Sequence, residues 1–225
     1  MFIGHIAVAL GAKKVAPKTS LGTLLMSAQF LDLLWPLFLI VGVEHVRIDP
    51  GNTAVTPLDF YDYPISHGLI TSIGWSILFA LVYYAIRKNR IGAWVVGLGV
   101  FSHWILDFIS HRPDLPIAPG VHTYVGLGLW YSLPATMIVE GLMFAGGIAL
   151  YLRSTQSKDR IGTYAFWGLI VFLVIVWMAN TFGPPPPNVS SLGYAGLSLW
   201  LLILWAYWID KHREPLEAGS SPQDV

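Results

Sequence analysis

Residues 65–110 read ISHGLITSIGWSILFALVYYAIRKNRIGAWVVGLGVFSHWILDFIS. The charged tetrapeptide RKNR at 87–90 separates two apolar runs, and each run is long enough for the roughly 20 helical residues that cross a hydrocarbon core. Runs of this length recur along the chain and predict an all-α, polytopic helical membrane protein. The predicted transmembrane helices are 20–43, 65–86, 91–110, 125–151, 162–181 and 191–210.

The overall composition favours the same class of protein. Of the 225 residues, 55% are hydrophobic and only 12% are charged, which leaves too few polar side chains to coat a water-soluble globule of this size. The formal net charge is zero, so bulk electrostatics gives no reason to expect a nucleic-acid partner. Because the chain has no cysteine, any bound metal would need His, Asp and Glu ligands.

The first fourteen residues, MFIGHIAVALGAKK, form a shorter apolar segment. Its positive charges, Lys13 and Lys14, follow the apolar stretch, whereas a secretory signal carries them before it, so we expect the segment to be retained. It is too short to cross a bilayer. The pattern therefore predicts a short N-terminal helix that is only partly inserted.

Basic residues are distributed unevenly between the connections. Eleven of the thirteen Lys and Arg residues lie in 12–19, 87–90, 152–161 and the tail after Trp208. The alternate connections, 44–64, 111–124 and 182–190, hold only Arg47 and Arg112. The positive-inside rule then predicts a multi-pass protein of the plasma (inner) membrane with a cytoplasmic C-terminus.

Several ionisable residues interrupt the apolar segments, although each charge deep in a bilayer costs about 3 kcal/mol. They are His5, Asp32, His67, His103, Asp107, His111 and Glu140. Taken singly, each is more simply explained as a buried polar group satisfied by a neighbouring helix. His103 and Asp107, however, are four residues apart and project from one stripe of their helix, which His111 continues.

The predicted depths of these residues point to a common site. Counted from the outer helix ends at about 1.5 Å per residue, Asp107 and His67 lie about 5 Å deep, His103 about 12 Å and Asp32 about 16 Å. Glu140 comes out slightly deeper than Asp32, and His5 also starts from the outer face. One cavity opening on the extracytoplasmic side could reach all of them, and unrelated core polar groups are the alternative.

The residue types suit a divalent metal, because neutral imidazoles and carboxylates bind Zn²⁺, Mn²⁺ and similar ions. We predict as metal ligands His5, Asp32, His67, His103 and Asp107. We accordingly divide the chain into a metal-site helical membrane core, 1–151, and two additional transmembrane helices with a short cytoplasmic tail, 152–225. The last two helices are expected to pack peripherally. The acidic loop 44–64 is either simply solvated, or a lid or cation-attracting mouth.

These residues resemble the pattern of the YdjM-type family of membrane-bound metal-dependent hydrolases, through Gly4-His5, Asp32, Ser66-His67-Gly68 and Ser102-His103 to Asp107. The resemblance covers about residues 1–125 and extends remotely to zinc-dependent phospholipase C, where such residues hold a zinc cluster. It implies one metal on Asp32, His67, His103 and Asp107, and a second on His5 with Asp107 as bridge. Ser66 and Gly68 replace a Thr and a Ser of the family pattern.

The leading functional hypothesis is a metal-dependent hydrolase of the extracytoplasmic leaflet, in which metal-activated water attacks a phosphoester or ester of a lipid-like substrate. Glu140 and His111 are the candidate catalytic proton shuttles. The expected cofactor is one or two divalent ions, with Zn favoured. A metal-ion or proton transport protein is the alternative, although a transport path should continue inward. A di-iron oxidase would need His-rich clusters near the cytoplasmic side.

Overall fold

The computed structural model describes residues 1–216, so residues 217–225 of the predicted cytoplasmic tail lie outside the described residues. The described chain is mostly helical. Its helices are α1 Phe2–Val15, α2 Leu21–Ala28, α3 Phe30–Ile40, α4 Pro64–His67, α5 Leu69–Arg87, α6 Arg90–Ser110, α7 Leu133–Leu152, α8 Arg160–Phe182, α9 Val189–Leu197 and α10 Leu199–Lys211, with a 3-10 turn at Leu129–Tyr131. Three antiparallel strand pairs join β1 His45–Ile48 to β2 Leu58–Asp62, β3 Leu115–Pro116 to β4 Tyr124–Val125, and β5 Thr155–Ser157 to β6 Arg213–Pro215.

Among the described residues, five helical segments are long and apolar enough to cross a membrane: α5, α6, α7, α8 and the consecutive α9 and α10. A sixth results if α2 and α3 count as one span, because they bend by 58° at Gln29. The all-α prediction is therefore confirmed, and the number of candidate spans is five or six. The predicted helix at 125–151 begins only at Leu133, after the 3-10 turn.

The RKNR tetrapeptide separates α5 from α6 through two local features. Lys88 adopts a left-handed conformation with φ 52°, which ends α5 at Arg87. Asn89 then accepts a hydrogen bond from the backbone N–H of Gly92 and caps the start of α6. A helical hairpin results, and α6 returns to the face from which α5 began.

The short helix α1 is buried against α7. Its closest approach is at Gly147, where an added Cβ would lie 2.6 Å from the carbonyl oxygen of Ala7 and 2.8 Å from its Cα. The side chain of Glu140, two turns earlier on α7, accepts a hydrogen bond of 3.1 Å from the backbone N–H of Ile3. This carboxylate therefore supplies an acceptor to the first turn of α1, whose N–H groups have no partner within the helix.

Asp210 of α10 contacts the C-terminal end of α1 and the N-terminal end of α2. Asp210 accepts a hydrogen bond from the backbone N–H of Gly22 at 3.2 Å, and Lys13 lies 3.4 Å from the same carboxylate. Lys13 also donates to the carbonyl oxygen of Thr19 at 2.8 Å. The turn between α1 and α2 is thus held by contacts with α10, the last helix among the described residues.

The last helices are less peripheral than the sequence predicts. Phe166 and Leu169 of α8 and Ala206 of α10 share one buried apolar cluster with α1 and α2. Gly193 of α9 lies against Ile40 of α3. The expected peripheral position is wrong for these faces, because the bend at Gln29 leaves apolar surface on both halves of the pair that α9 and α10 cover.

The acidic loop 44–64 folds into the β1–β2 hairpin, and Asp59 and Asp62 have ion-pair partners. Asp59 forms salt bridges with Arg47 at 2.8 Å and Arg112 at 2.5 Å, and Asp62 lies 3.0 Å from His45. Glu44 is buried instead of solvated. The loop is therefore a structured part of the protein, and Asp59 is its acidic residue that faces arginines.

Candidate metal centre

Three helices and one short helical turn bring the five predicted ligands together. His5 comes from α1, Asp32 from α3, His67 from the C-terminal end of α4, and His103 and Asp107 from α6. All except Asp32 are nearly fully buried, while the Asp32 side chain is 30% exposed. The cluster is thus enclosed by the protein and reached past Asp32.

Asp32 lies between two imidazoles. Its Oδ1 is 3.5 Å from His67 Nε2, and its Oδ2 is 3.6 Å from His103 Nε2. The ligand atoms of these three residues lie within 4.8 Å of one another. In a tetrahedral site with ligands about 2.0–2.1 Å from a zinc ion, neighbouring ligand atoms are roughly 3.3 Å apart. The three residues therefore match the spacing that a bound metal requires.

Asp107 lies at the centre of the cluster. Its Oδ1 is 3.1 Å from His5 Nε2 and 2.8 Å from the α-amino group of Met1. Its Oδ2 is 3.2 Å from His103 Nε2 and 3.8 Å from His67 Nε2. Each carboxylate oxygen thus faces a different set of nitrogens, which is the arrangement that a bridging carboxylate needs.

A second three-residue group, formed by His5, His103 and Asp107, shares His103 with the first group. The rings of His5 and His103 are stacked, with centroids 3.6 Å apart and planes inclined by 2°. His103 has one ring nitrogen directed into the cluster and can bind one ion through it. Asp107 has two oxygens, one facing His5 and the other facing His103 and His67, and it is therefore suited to serve two ions at once.

The tautomer of His103 is set by the bend between α2 and α3. Ala28 is the last residue of α2, and its carbonyl oxygen accepts a hydrogen bond of 2.8 Å from His103 Nδ1. In the neutral imidazole the proton therefore sits on Nδ1, and Nε2 presents a lone pair to the two carboxylates. Nε2 is buried without a hydrogen-bond partner. A buried, unpaired acceptor facing carboxylates is what a metal-free ligand histidine presents, so the cluster could hold a metal ion.

His67 is also fixed through its other ring nitrogen. Its Nδ1 lies 2.7 Å from Ser66 Oγ, and Ser66 Oγ donates to the Glu44 carboxylate at 2.5 Å. The other oxygen of Glu44 accepts the backbone N–H groups of Ile65 and Ser66 at 2.8 and 2.7 Å. All three polar side chains are buried.

Neither predicted proton shuttle belongs to the two ligand groups. Glu140 is occupied by the N–H of Ile3. His111 Nδ1 lies 3.0 Å from Asp114 Oδ1, beside the Tyr63 hydroxyl. Burial, followed by the nearby Asp114 carboxylate, raises the pKa of Tyr63 well above its usual range, so the hydroxyl remains protonated. Their catalytic roles stay predictions.

A cavity of about 670 Å³ connects these groups. Asp32, His67 and Asp107 lie in its wall together with Glu140 and His111. Aromatic rings and loop residues complete the lining, including Trp35, Phe60, Trp130 and Trp177, residues 53–58 of the hairpin and Pro184 to Pro187. The cavity therefore lies among connections that carry few basic residues.

The sequence did not single out Glu44 as a partner of Ser66, or Asp114 as the partner of His111. Glu44 stood out only as one of several acids in a long loop. Asp114 follows His111 by three residues, but beyond a helix end, where spacing says little about direction.

Comparison with known proteins identified no relative: no family model, curated protein or solved structure matches the chain.

Proposed function

We propose that this protein is a metal-dependent hydrolase of the membrane, acting on a phosphoester or related ester of a lipid-like substrate at the extracytoplasmic leaflet. The observation that carries the proposal is the meeting of a buried His/Asp cluster with a cavity of about 670 Å³ at Asp32, His67 and Asp107. Such a cavity is large enough for a small ligand or headgroup.

The aromatic part of the cavity lining suits an amphipathic substrate, and the charge of a phosphoester would have to be balanced by a bound metal. Among the described residues that line it there is no Lys or Arg, so no basic side chain is present to balance the charge of a phosphoester. A bound divalent ion would supply that positive charge, polarise the ester and acidify water. The aromatic rings offer contact surface for the apolar part of an amphipathic molecule.

The protein groups have distinct tasks in this proposal. Asp32, His67, His103 and Asp107 hold the first ion, and His5 with Asp107 holds a second. Glu140 and His111 face the same cavity and are the groups available to accept or donate a proton. This division of ligands between two ions follows the resemblance to YdjM-type hydrolases in Gly4-His5, Asp32, Ser66-His67 and Ser102-His103 to Asp107.

Transport of metal ions or protons is the competing function, and the packing beneath the cluster argues against it. A through path would need polar groups along the inner halves of α1, α2 and α6. Among the described residues, buried apolar side chains separate the cluster from the Lys13–Asp210 pair at the other end of α1, including Leu10, Leu24, Leu25 and Val96. A cavity that ends at packed apolar side chains suits catalysis better than the passage of ions through the protein.

Elemental analysis of the detergent-purified protein, followed by hydrolysis assays on phosphoesters in mixed micelles, tests the proposal. We expect bound divalent metal and a hydrolytic rate that His103→Ala abolishes. His122→Ala is the matched control, because His122 is an exposed histidine on a loop and should leave the rate unchanged. Metal flux into proteoliposomes without hydrolysis, or a protein that binds no metal, would overturn it.

A further inference from the structure

Glu44 is a buried acidic residue that the proposed reaction does not use. It lies 22 positions before Ser66, yet both of its oxygens accept hydrogen bonds from the α4 turn. One oxygen accepts the N–H groups of Ile65 and Ser66, and the other accepts the Ser66 hydroxyl at 2.5 Å. The second distance is that of a charge-assisted O–H···O⁻ bond, which fixes the direction of the hydroxyl.

The direction of this hydroxyl decides where the His67 proton lies. Because the Ser66 hydrogen is given to Glu44, Ser66 Oγ can only accept from His67 Nδ1, which is 2.7 Å away. The proton of neutral His67 is therefore on Nδ1, and the lone pair is on Nε2. Nε2 is the atom that faces Asp32 and Asp107 at 3.5 and 3.8 Å.

We propose that Glu44 is a positioning residue that acts through Ser66 to hold His67 in its metal-binding tautomer. The inference rests on the proposed metal centre and assigns a task to the start of the β1–β2 hairpin, which otherwise only contributes to the cavity wall. It also explains why an acidic side chain is buried at the beginning of an extracytoplasmic loop. Partners of this kind typically raise metal affinity 10–100-fold.

Glu44→Gln inverts the relay with almost no change of shape. The amide oxygen still accepts the two backbone N–H groups, but the amide nitrogen now faces Ser66 Oγ and must donate to it. The Ser66 hydroxyl then turns its hydrogen towards His67 Nδ1, and the ring proton moves to Nε2. A protonated Nε2 cannot bind a metal.

The tautomer can be measured directly, without metal or substrate. We would record two-bond ring correlations by NMR on metal-free protein labelled with ¹⁵N-histidine, at a pH where the imidazoles are neutral, and assign His67 with His67→Asn. The wild type should carry its proton on Nδ1 and Glu44→Gln on Nε2. A wild-type proton on Nε2, or an unchanged tautomer in Glu44→Gln, would overturn the proposal.

Zinc affinity, measured by competition with a chromophoric chelator, gives the second readout. Glu44→Gln should bind about 10–100-fold more weakly than wild type. The matched control is Asp62→Asn, which removes a charge from the same hairpin at a half-exposed position. Equal affinities for Glu44→Gln and Asp62→Asn would contradict the inference.

A second pair of variants covers the case in which Glu44→Gln fails to fold. Ser66→Ala removes the relay and should weaken zinc binding, whereas Ser66→Thr retains the hydroxyl and should restore it. Equal affinity of both variants would contradict the relay. If the wild type binds no zinc, the proposed metal centre fails, while the NMR result still decides whether Glu44 sets the tautomer.

Discussion

Close packing between α1 and α7 should determine whether His5 reaches Asp107. An added Cβ at Gly147 would lie 2.6 Å from the Ala7 carbonyl oxygen and 2.8 Å from its Cα, so a methyl group there must displace the α1 backbone. His5 is two residues from Ala7, and its Nε2 is 3.1 Å from Asp107 Oδ1. Gly147→Ala should therefore destabilise the fold and disturb the cluster together.

The neighbouring Gly146 provides the control, and comparison with it gives the expected change in the free energy of unfolding. An added Cβ at Gly146 meets no atom within 4 Å. Replacing a helical Gly by Ala is favourable by about 1 kcal/mol through helix propensity alone, and this gain applies to both positions. Overpacking at Gly147 costs a further 1–3 kcal/mol, roughly, at that position only. The free energy of unfolding of Gly147→Ala should thus lie about 1–3 kcal/mol below that of Gly146→Ala.

Reversible unfolding in mixed micelles, titrated with a denaturing detergent, measures the two free energies under one condition. Metal content of the folded fractions is determined in parallel. We expect Gly146→Ala to match or exceed the wild type in stability and to keep its metal, and Gly147→Ala to lose both in part. Equal unfolding free energies for the two variants would refute the close contact between α1 and α7.

Three further predictions concern the centre and its orientation. Asp107→Ala should remove more metal than His5→Ala, because the carboxylate faces both ligand groups; a wild-type stoichiometry by elemental analysis would instead make Asp107 a partner that orients a histidine. Glu140→Gln retains an acceptor for Ile3 N–H and should keep the metal content while lowering the hydrolytic rate, and an unchanged rate would remove Glu140 from proton transfer. Ala54 lies in the loop 44–64, which the positive-inside rule places outside, so Ala54→Cys should react with an impermeant thiol reagent on intact cells. The natural chain has no cysteine and gives no background labelling, and reaction only after permeabilisation would reverse the topology.

The spacing of residues along regular helices accounts for what the sequence could predict about the cluster. His103 and Asp107, four apart on α6, do place Nε2 and Oδ2 3.2 Å from each other. The position of Asp32 does not follow from this count. A straight helix would place it about 11 Å deeper than His67, whereas Asp32 Oδ1 and His67 Nε2 are 3.5 Å apart. The count therefore restricted the candidates to a small set that one cavity could reach, without indicating which atoms face each other.

The break at Gln29 could not be predicted in the same way. The segment SAQFLDLLW contains neither Gly nor Pro near the break. Pro36, a residue type that commonly disrupts helices, lies inside α3. The bend is instead accompanied by tertiary contacts, including the hydrogen bond from His103 to the Ala28 carbonyl oxygen. Such long-range partners leave no local signal in the sequence.

The sequence did not predict that Glu44 is the hydrogen-bond partner of Ser66, for a related reason. Glu44 meets Ser66 only because the β1–β2 hairpin returns the chain to its starting point, and the hairpin has an irregular register between His45 and Arg47. Alternation of polar and apolar residues in so short a strand is a weak signal. The fold class followed from composition, whereas the groups that orient the ligands required coordinates.

The hydrogen bond between Asp210 of α10 and the α1–α2 turn has a consequence for the synthesis of the protein. All five candidate ligands lie within the first 107 residues, but Asp210, which accepts the Gly22 N–H, is 188 positions further on. At about 5–20 residues per second, roughly 5–20 s of translation separate Asp107 from Asp210. The nascent chain therefore contains its full set of candidate ligands before the residue that contacts the α1–α2 turn has been made. Final closure of the amino-terminal half is accordingly among the last events of folding during synthesis.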